Sequence, residues 1–360
     1  MFYKECQKYH FNFLLTICVG LALLFTSCAS DPKKHIARGE EFLTKRKFQE
    51  AVMEFRAAAD IDKNSADAHW GLARAREGQG DVFETINELR QTIDLKADHL
   101  DAKSKLGNYY LLVDPPQIPE TEKMLGEIFA VNPNFIEGHI LKASLLSAQK
   151  KSDKEVLDVL NHAISLDQTR VESYLSLARF YMKTDKAGEA ENTIKKAISV
   201  NPNLALGYLE YARFYGFSNR PNEAEAQFKK AVEVEPTNVE TRESLANFYL
   251  SERQLEKAEQ AFKDLAEAQG KSPESKMQLA DFYATVGRED DAINTFLEIL
   301  KGAPEYVRAR YRLGEIYLER KENEKVVEQV EKLLVINDTD AEALMLRARV
   351  KMQENNAEEA

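Results

Sequence analysis

The chain has 360 residues, of which 49 are lysine or arginine and 60 are aspartate or glutamate, so its formal net charge is -11. A protein this acidic is not held to nucleic acid or to anionic lipid by its overall field. The three cysteines are Cys6, Cys18 and Cys28, and none follows. The rest of the chain therefore has no thiol pair for a disulfide and no cysteine ligands for a zinc site.

The first predicted element is an export signal at the N-terminus. Two lysines precede an apolar run over residues 13–25, and two small residues follow it, which is the three-part layout of a signal peptide. As a helix this run would cover roughly 20 Å, against a hydrocarbon core of about 30 Å. We therefore expect residues 1–27 to be a cleaved signal, while an uncleaved anchor that extends back to Phe11 stays open as an alternative.

The residues that end this segment read LFTSC, from Leu24 to Cys28, and they resemble the lipobox of bacterial lipoproteins. Phe25 departs from that pattern, which usually has leucine three residues before the cysteine. The resemblance implies that Cys28 carries a diacylglycerol, with residues 28–31 as a short lipidated linker. Acyl chains partition at about 0.8 kcal/mol per buried methylene, so two of them would hold the protein at a membrane. Ser30 is not the aspartate of an inner-membrane retention signal, so we expect the outer membrane, facing the periplasm.

From residue 32 onwards the chain repeats with a period of 34 residues. A tyrosine column and an alanine column show this period without a slip: Tyr181, Tyr215, Tyr249, Tyr283 and Tyr317, then Ala190, Ala224, Ala258 and Ala292. Within one unit the apolar residues recur at helical spacing on both sides of a polar break at residues 251–254. This pattern predicts two amphipathic helices joined by a tight turn, whose apolar stripes are buried only when neighbouring units stack.

These columns resemble the tetratricopeptide repeat. The unit that begins at residue 171 carries the residues of its pattern: Tyr174, Leu177, Ala178, Tyr181, Ala190, Ile194, Ala197 and Pro202. The resemblance implies an all-α fold, a right-handed superhelical solenoid of helix-turn-helix repeats. In this register nine repeats fill residues 32–340, at 32–65, 66–99, 100–135, 136–170, 171–204, 205–238, 239–272, 273–306 and 307–340. A partial tenth occupies residues 341–360, and since no polar capping helix follows, we expect the chain to be either a fragment of a longer protein or a gene product cut short.

Two turns are longer than the period requires. Repeat 3 has two extra residues in DPPQIPE, from Asp114 to Glu120, and repeat 4 has one more near residues 150–153. An inserted loop on a solenoid can bind a partner. Short proline-rich insertions are more often tolerated turns, and that is our expectation here.

No catalytic or metal-binding pattern stands out in the sequence. None of the six histidines has a second ligand residue at the spacing of a metal motif such as HExxH, and no phosphate-binding loop or nucleophile elbow occurs. His69 and His139 occupy a column where the tetratricopeptide repeat usually has an aromatic residue, which favours packing. We therefore expect a protein that is not an enzyme and that has no catalytic residues, no metal and no cofactor.

The remaining candidate for function is the inner surface formed by the first helices. The resemblance implies that ligand contacts come from a few fixed positions of each repeat, and it predicts a partner-binding groove with these residues: Trp70, Leu175, Arg179, Met182, Leu209, Arg213 and Phe217. Two arginines beside apolar residues suit an acidic or C-terminal segment of an extended partner. A generic solvated inner face is the alternative. The groove does not match the carboxylate clamp of chaperone-cofactor repeats, so no chaperone-tail ligand is predicted.

The predicted function is a membrane-anchored scaffold that holds partner proteins in a bacterial envelope. In its lipobox, its early first repeat and its repeat number, the chain resembles the long repeat lipoproteins of exopolysaccharide and exosortase (PEP-CTERM) systems. Two alternatives stay open: a repeat lipoprotein of outer-membrane protein assembly or of type IV pilus secretin targeting, and the recognition arm of an enzyme domain beyond residue 360. The expected partners are other proteins and the membrane, not nucleic acid.

Overall fold

The computed structural model describes residues 31–354. The predicted signal at residues 1–27, the lipidation site Cys28 and residues 355–360 lie outside the described part. Every regular element within residues 31–354 is an α-helix, so the predicted all-α repeat fold is confirmed. Among these residues, none of the helices combines the length and the apolar character that crossing a bilayer requires.

The helices come in pairs along the chain. The first helix of each pair has 13 residues and takes an odd number: α1 Pro32–Thr44, α3 Ala66–Gly78, α5 Leu100–Leu112, α7 Ile136–Ala148, α9 Val171–Lys183, α11 Ala205–Phe217, α13 Val239–Ser251, α15 Pro273–Thr285, α17 Val307–Glu319 and α19 Ala341–Gln353. The second helix has 14 residues and takes an even number: α2 Phe48–Ile61, α4 Val82–Leu95, α6 Ile118–Val131, α8 Asp153–Leu166, α10 Ala187–Val200, α12 Pro221–Val234, α14 Leu255–Ala268, α16 Glu289–Gly302 and α18 Asn323–Ile336.

Local chemistry sets several of these helix starts. The hydroxyl of Ser65 accepts a 3.2 Å hydrogen bond from an N–H in the first turn of α3, and the carboxylate of Asp340 accepts one of 3.0 Å in the first turn of α19. Pro221 and Pro273 are the first residues of α12 and α15. At this position an N–H would have no acceptor within the helix, so proline loses no hydrogen bond there. Each cap or proline fixes where a helix of the repeat begins.

The turn inside most pairs contains one residue in the left-handed conformation. These residues have φ between 53° and 76° and stand at the fifteenth position of their repeats: Arg46, Gly80, Lys150, Asp185, Asn219, Arg253, Gly287 and Lys321. Glycine adopts this conformation without strain, asparagine and aspartate tolerate it, and other residue types are strained in it. Repeat 3 differs, because its extra residues lie in the turn at 113–117, which contains a cis Asp114–Pro115 bond.

Two compact units divide the chain, residues 1–159 and residues 160–360. In the first unit the ring of Phe55 on α2 is fully buried between Gly39 on α1 and Gly71 on α3. A Cβ atom added at Gly71 would come within 2.3 Å of that ring. The two glycines therefore let neighbouring helices close over a large side chain.

In the second unit the core alternates small and large side chains. Ala224, Ala258 and Ala292 have no exposed surface, and each stands four residues before a buried phenylalanine of the same helix. Positions four apart share one face of a helix. The alanine lets the partner helix approach, and the phenylalanine fills the space one turn further on, which is how the 34-residue columns become a packed core.

Tyrosines join successive repeats in the second unit. Tyr249 on α13 donates a 3.0 Å hydrogen bond to Glu225 on α12, and Tyr283 on α15 donates one of 3.0 Å to Glu259 on α14. Each glutamate also lies 2.7 Å from the ammonium of the lysine four residues later on its own helix. The two carboxylates are mostly shielded from solvent, with 14% and 21% of their side chains exposed.

Candidate functional site

The two predicted arginines converge on one carboxylate, that of Glu210. Arg179 on α9 places Nη2 2.7 Å from Oε1 of Glu210 and Nε 3.3 Å from Oε2. Arg213 on α11 places Nη1 2.7 Å from the same Oε1. The bonds from Arg179 link two successive repeats, since α9 and α11 are the first helices of neighbouring pairs. We call Arg179, Glu210 and Arg213 the arginine cluster.

Glu210 is the buried member of the arginine cluster. Its side chain is 9% exposed, whereas those of Arg179 and Arg213 are 55% and 43% exposed. Burial alone would raise the pKa of Glu210, but the two guanidinium groups outweigh that effect and lower the pKa below its usual value. The predicted basic centre therefore contains an ionised carboxylate. A second carboxylate lies close by, since Oε1 of Glu240 is 3.9 Å from Nη2 of Arg213, so two arginines face two glutamates and their formal charges cancel.

Two residues predicted to line the groove lie in the core instead. Leu175 and Leu209 are 1% and 2% exposed, so the structure places both side chains in the core and not on the surface of the predicted groove. Leu175 packs with Val171 and Tyr174 of its own helix, and Leu209 belongs to the continuous core of the second unit. A medium-sized apolar side chain at this position reaches the contact between neighbouring helices and is removed from water there.

The other two apolar residues predicted for this surface differ in their exposure. Phe217 is the last residue of α11 and is 83% exposed, although Phe214 and Tyr215 on the same helix are buried. Met182 on α9 is half-buried and packs against the core of the second unit. The accessible part of the predicted groove in this unit therefore consists of the two arginines, Phe217 and part of Met182.

Trp70, the seventh predicted residue, lies on α3 in the first unit. Its ring is 4.8 Å from that of His99, and the guanidinium of Arg74 is 5.3 Å from its centroid. Burial lowers the pKa of His99, which keeps the imidazole neutral, and Nδ1 accepts a 3.2 Å hydrogen bond from the N–H of Ala102 at the start of α5. Trp70 is thus held from two sides while remaining only partly buried.

Beside Trp70 the first unit has a groove of about 510 Å³. The first helices of three successive repeats, α3, α5 and α7, line it. We call it the Trp70 groove, and its lining residues are Trp70, Glu77, Asp101, Ser104, Lys105, Asn108, Tyr109, Leu112, Glu137 and Ile140. All of them belong to residues 1–159.

Several polar residues of the Trp70 groove form hydrogen bonds or ion pairs with one another. Both oxygens of Glu77 lie close to Nζ of Lys105, at 2.7 and 2.8 Å. The hydroxyl of Tyr109 donates a 3.0 Å hydrogen bond to the same carboxylate, and burial with the nearby negative charge raises the pKa of Tyr109 to about 12. The phenol therefore remains a donor at neutral pH. On α5 itself, the side-chain amide of Asn108 donates a 3.0 Å hydrogen bond to the backbone carbonyl of Ser104, one turn earlier.

Several of these residues were missed by reading the sequence. Glu210 and Lys105 both stand at the sixth position of their repeats, whereas the resemblance to the tetratricopeptide repeat implies ligand contacts at positions 2, 5, 9, 12 and 13. Leu112, which is 80% exposed, stands at the thirteenth position, as Phe217 does, and this shared position was the available signal. In the part of the chain that the structure describes, no group of three or more histidine, cysteine, aspartate and glutamate side chains is arranged to hold a metal ion.

Comparison with known families identifies the repeat. Tetratricopeptide repeat models match residues 36–84 and residues 171–204, and the model of the tetratricopeptide repeat protein 21 ARM repeat matches residues 200–330. The first match includes Trp70, and the other two include Arg179, Glu210 and Arg213. The chain therefore carries tetratricopeptide repeats, a helical repeat type that mediates contacts between proteins.

The individual relatives are distant. DnaJ homolog subfamily C member 3 of Rattus norvegicus is 26% identical over 142 residues, which are 39% of this chain and 28% of the relative. The Bos taurus protein of the same name is 25% identical over the same length. The match thus spans just over a quarter of these relatives. Among solved structures, the crystal structure of the APC/C hetero-tetramer Cut9-Hcn1 is similar with a TM-score of 0.47 and 12% identity, covering 89% of this chain and 64% of that one.

Proposed function

We propose that this protein is a scaffold without catalytic activity of its own, held at a bacterial cell envelope by a lipid on Cys28, whose repeats bind segments of partner proteins. The envelope system that we propose is one of export, assembly or exopolysaccharide production. The repeat type supports the binding of proteins in general. One observation carries the choice of surface, namely the exposed Phe217, which stands four residues after Arg213 on α11 and therefore on the same face of that helix.

Phe217 has the properties of a contact residue for a partner. It is an aromatic side chain with 83% of its surface in water, on a helix whose other large apolar residues are mostly buried. Aromatic residues, phenylalanine among them, and arginine are enriched at protein interfaces. Burying this ring against a partner would remove its apolar surface from water, at about 25 cal/mol per Å².

The arginine cluster favours an acidic or C-terminal segment as that partner. A guanidinium has five N–H donors. Glu210 accepts from Nε and Nη2 of Arg179 and from Nη1 of Arg213, and Glu240 lies 3.9 Å from Nη2 of Arg213 without a hydrogen bond, which leaves donors on both side chains for a carboxylate of the partner. Because Glu210 and Glu240 already balance the two positive charges, the partner's carboxylate gains from hydrogen bonds and not from a net field. Phe217 would take an apolar residue of the same segment.

The proposed binding surface can be tested by photo-crosslinking in native membranes. A photoreactive amino acid replaces Phe217 in one strain and Val335 in another, since Val335 is equally accessible at 88% exposure but lies on the second helix α18. We expect discrete crosslinked proteins from position 217, identified by mass spectrometry, and none of them from position 335. The same crosslinked proteins from both positions, or none from position 217, would refute the surface.

The lipid anchor has its own test. Cys28→Ser should abolish incorporation of labelled fatty acid and shift the protein from the floating membrane fraction to the soluble fraction of a flotation gradient. A Cys28→Ser protein that still incorporates the label and still floats with membranes would rule out the anchor. This result is independent of the crosslinking result, so the proposed binding surface and the proposed lipid anchor are tested separately.

A further inference from the structure

We propose that the Trp70 groove binds an extended segment in which a lysine or arginine stands next to an apolar residue. This inference rests on the proposed function, because it assigns a second class of partner segment to the scaffold. It concerns the first unit alone. The ligand chemistry differs from that of the arginine cluster, which favours a carboxylate.

The charge of the groove selects a basic ligand. Three carboxylates line it, on Glu77, Asp101 and Glu137, against the one ammonium of Lys105. Lys105 is held by both oxygens of Glu77, so it is not available as the anchor for an acidic ligand. The lining residues therefore have a formal charge of -2, and a basic side chain entering the groove is attracted to the exposed carboxylate of Asp101.

The apolar residues that line the groove favour an apolar residue next to the basic residue of the ligand. Leu112 is 80% exposed at the end of α5, and Ile140 on α7 and the ring of Trp70 on α3 are partly exposed. An apolar side chain of the ligand can cover Leu112. The edge of the Trp70 ring that Arg74 and His99 leave open adds apolar surface beside Leu112. The groove thus offers both kinds of contact within one cavity.

Two polar groups in the groove suit the main chain of a peptide. Ser104 is 3% exposed and lines the groove, and its Oγ has no hydrogen-bond partner among the described residues. A buried hydroxyl without a partner is uncommon and points to a bond that a bound molecule completes. The amide of Asn108 uses one of its two N–H donors on the carbonyl of Ser104, which leaves further capacity to donate and accept.

The shape of the lining favours an extended chain over a compact molecule. Its residues come from α3, α5 and α7, so one ligand must contact three successive repeats to use all of them. An extended peptide presents alternate side chains and free backbone groups along its length. A segment with alternating basic and apolar residues therefore matches the groove in charge, apolar surface and length.

The protein contains its own reporter for this site, because Trp70 is its single tryptophan. The probe is an unstructured synthetic peptide in which arginine alternates with leucine, and the matched peptide has glutamate in place of arginine. Both are titrated into the purified full-length chain while the emission of Trp70 is recorded. We expect a saturable change of emission with the arginine peptide and none with the glutamate peptide.

Matched variants separate the groove from general attraction to an acidic protein. Asp101→Asn removes a groove carboxylate, and Asp94→Asn removes an exposed one from the second helix α4. We expect the first variant to weaken binding roughly threefold to tenfold, and the second to leave it unchanged. Leu112→Ser and its control Phe83→Ser test the apolar contact in the same way. Both residues are exposed, at 80% and 72%, but only Leu112 lines the groove.

Each outcome decides the inference. Preference for the glutamate peptide, no saturable signal with either peptide, or equal loss from Asp101→Asn and Asp94→Asn would overturn it. None of these results would change the crosslinks expected from position 217, which lies in the other unit. Crosslinks that fail while the arginine peptide still binds would refute the surface proposed in the second unit and leave the Trp70 groove in place.

Discussion

The hydroxyl of Tyr249 lies 3.0 Å from a carboxylate oxygen of Glu225, and this hydrogen bond joins two successive repeats. Burial alone would raise the pKa of Glu225, but hydrogen bonds from Lys229, Lys257 and Tyr249 outweigh it and hold the pKa at about 2. For Glu259 in the next repeat, a hydrogen bond from Lys263 is the largest influence, and its pKa is also about 2. Two ionised and shielded carboxylates thus recur one repeat apart.

These carboxylates predict a loss of stability in acid. Their folded-state pKa of about 2 is below the usual value of 4.5, so their contribution is complete above about pH 4.5 and is lost as the pH falls towards 2. The urea midpoint should fall across that window, and less steeply in Glu225→Gln. Glu233→Gln on the same helix is the control, since that side chain is 70% exposed. Equal slopes for all three proteins would contradict the assignment.

The left-handed turn residues predict opposite effects for two substitutions. Gly287→Ala should destabilise the protein by about 1 kcal/mol, because alanine is strained in this conformation. No atom lies within 4 Å of a Cβ added there, so the cost is conformational. Arg253→Gly, at the same position of the preceding repeat, should stabilise by roughly 0.5 kcal/mol, as relief of strain exceeds the added entropy of the unfolded chain. Urea denaturation measures both, and a shift of the same sign in the two variants would disprove the account.

Ala258→Leu should weaken the core of the second unit. Ala258 has no exposed surface, and the added atoms would push apart two close helices, at a cost of about 1–3 kcal/mol. Ala268→Leu, at the exposed end of the same helix, is the matched control and should leave the melting temperature nearly unchanged. An unaltered melting temperature in Ala258→Leu would show that the alanine column does not face the neighbouring helix.

The arginine cluster predicts an energetic coupling. Arg179→Gln together with Arg213→Gln leaves Glu210 shielded without a cation, which should cost about 1–3 kcal/mol, less than for a fully buried pair because both arginines are half exposed. Adding Glu210→Gln removes the unpaired charge and should restore most of the loss. The melting temperatures of the double and triple variants test this, and an equal loss in both would mean that the three side chains are not coupled.

The period of the sequence was enough to predict the helical repeat, because burial on every repeat demands the same residue sizes at the same spacing. The residues that form the contact between repeats follow the same period, since Glu225 and Glu259 stand 34 residues apart, as Tyr249 and Tyr283 do. Their pairing was not predicted. A periodic column shows that a residue type recurs at one position of the repeat. It does not show which other position lies opposite across the interface between two helices.

The candidate site was harder to predict for the same reason. The fifth position of the repeat predicts that Leu175 and Leu209 line the groove. That position lies where the first helices of neighbouring repeats meet, and leucine is small enough to be enclosed there. Glu210 was overlooked because an acidic residue on a helix usually faces water, and only the converging arginines explain its burial. Exposure at a shared position depends on side-chain size and on neighbours from another repeat, which the spacing alone does not give.

The contacts from Tyr249 to Glu225 and from Tyr283 to Glu259 also determine how the second unit responds to a pulling force. Each contact ties one repeat to the one before it, so a force on the C-terminal side loads the last contact first and transfers to the next only after that one breaks. Repeats should then detach one after another. Each detached repeat releases 34 residues, which extend to about 120 Å at about 3.5 Å per residue, and a single-molecule trace should show steps close to that length.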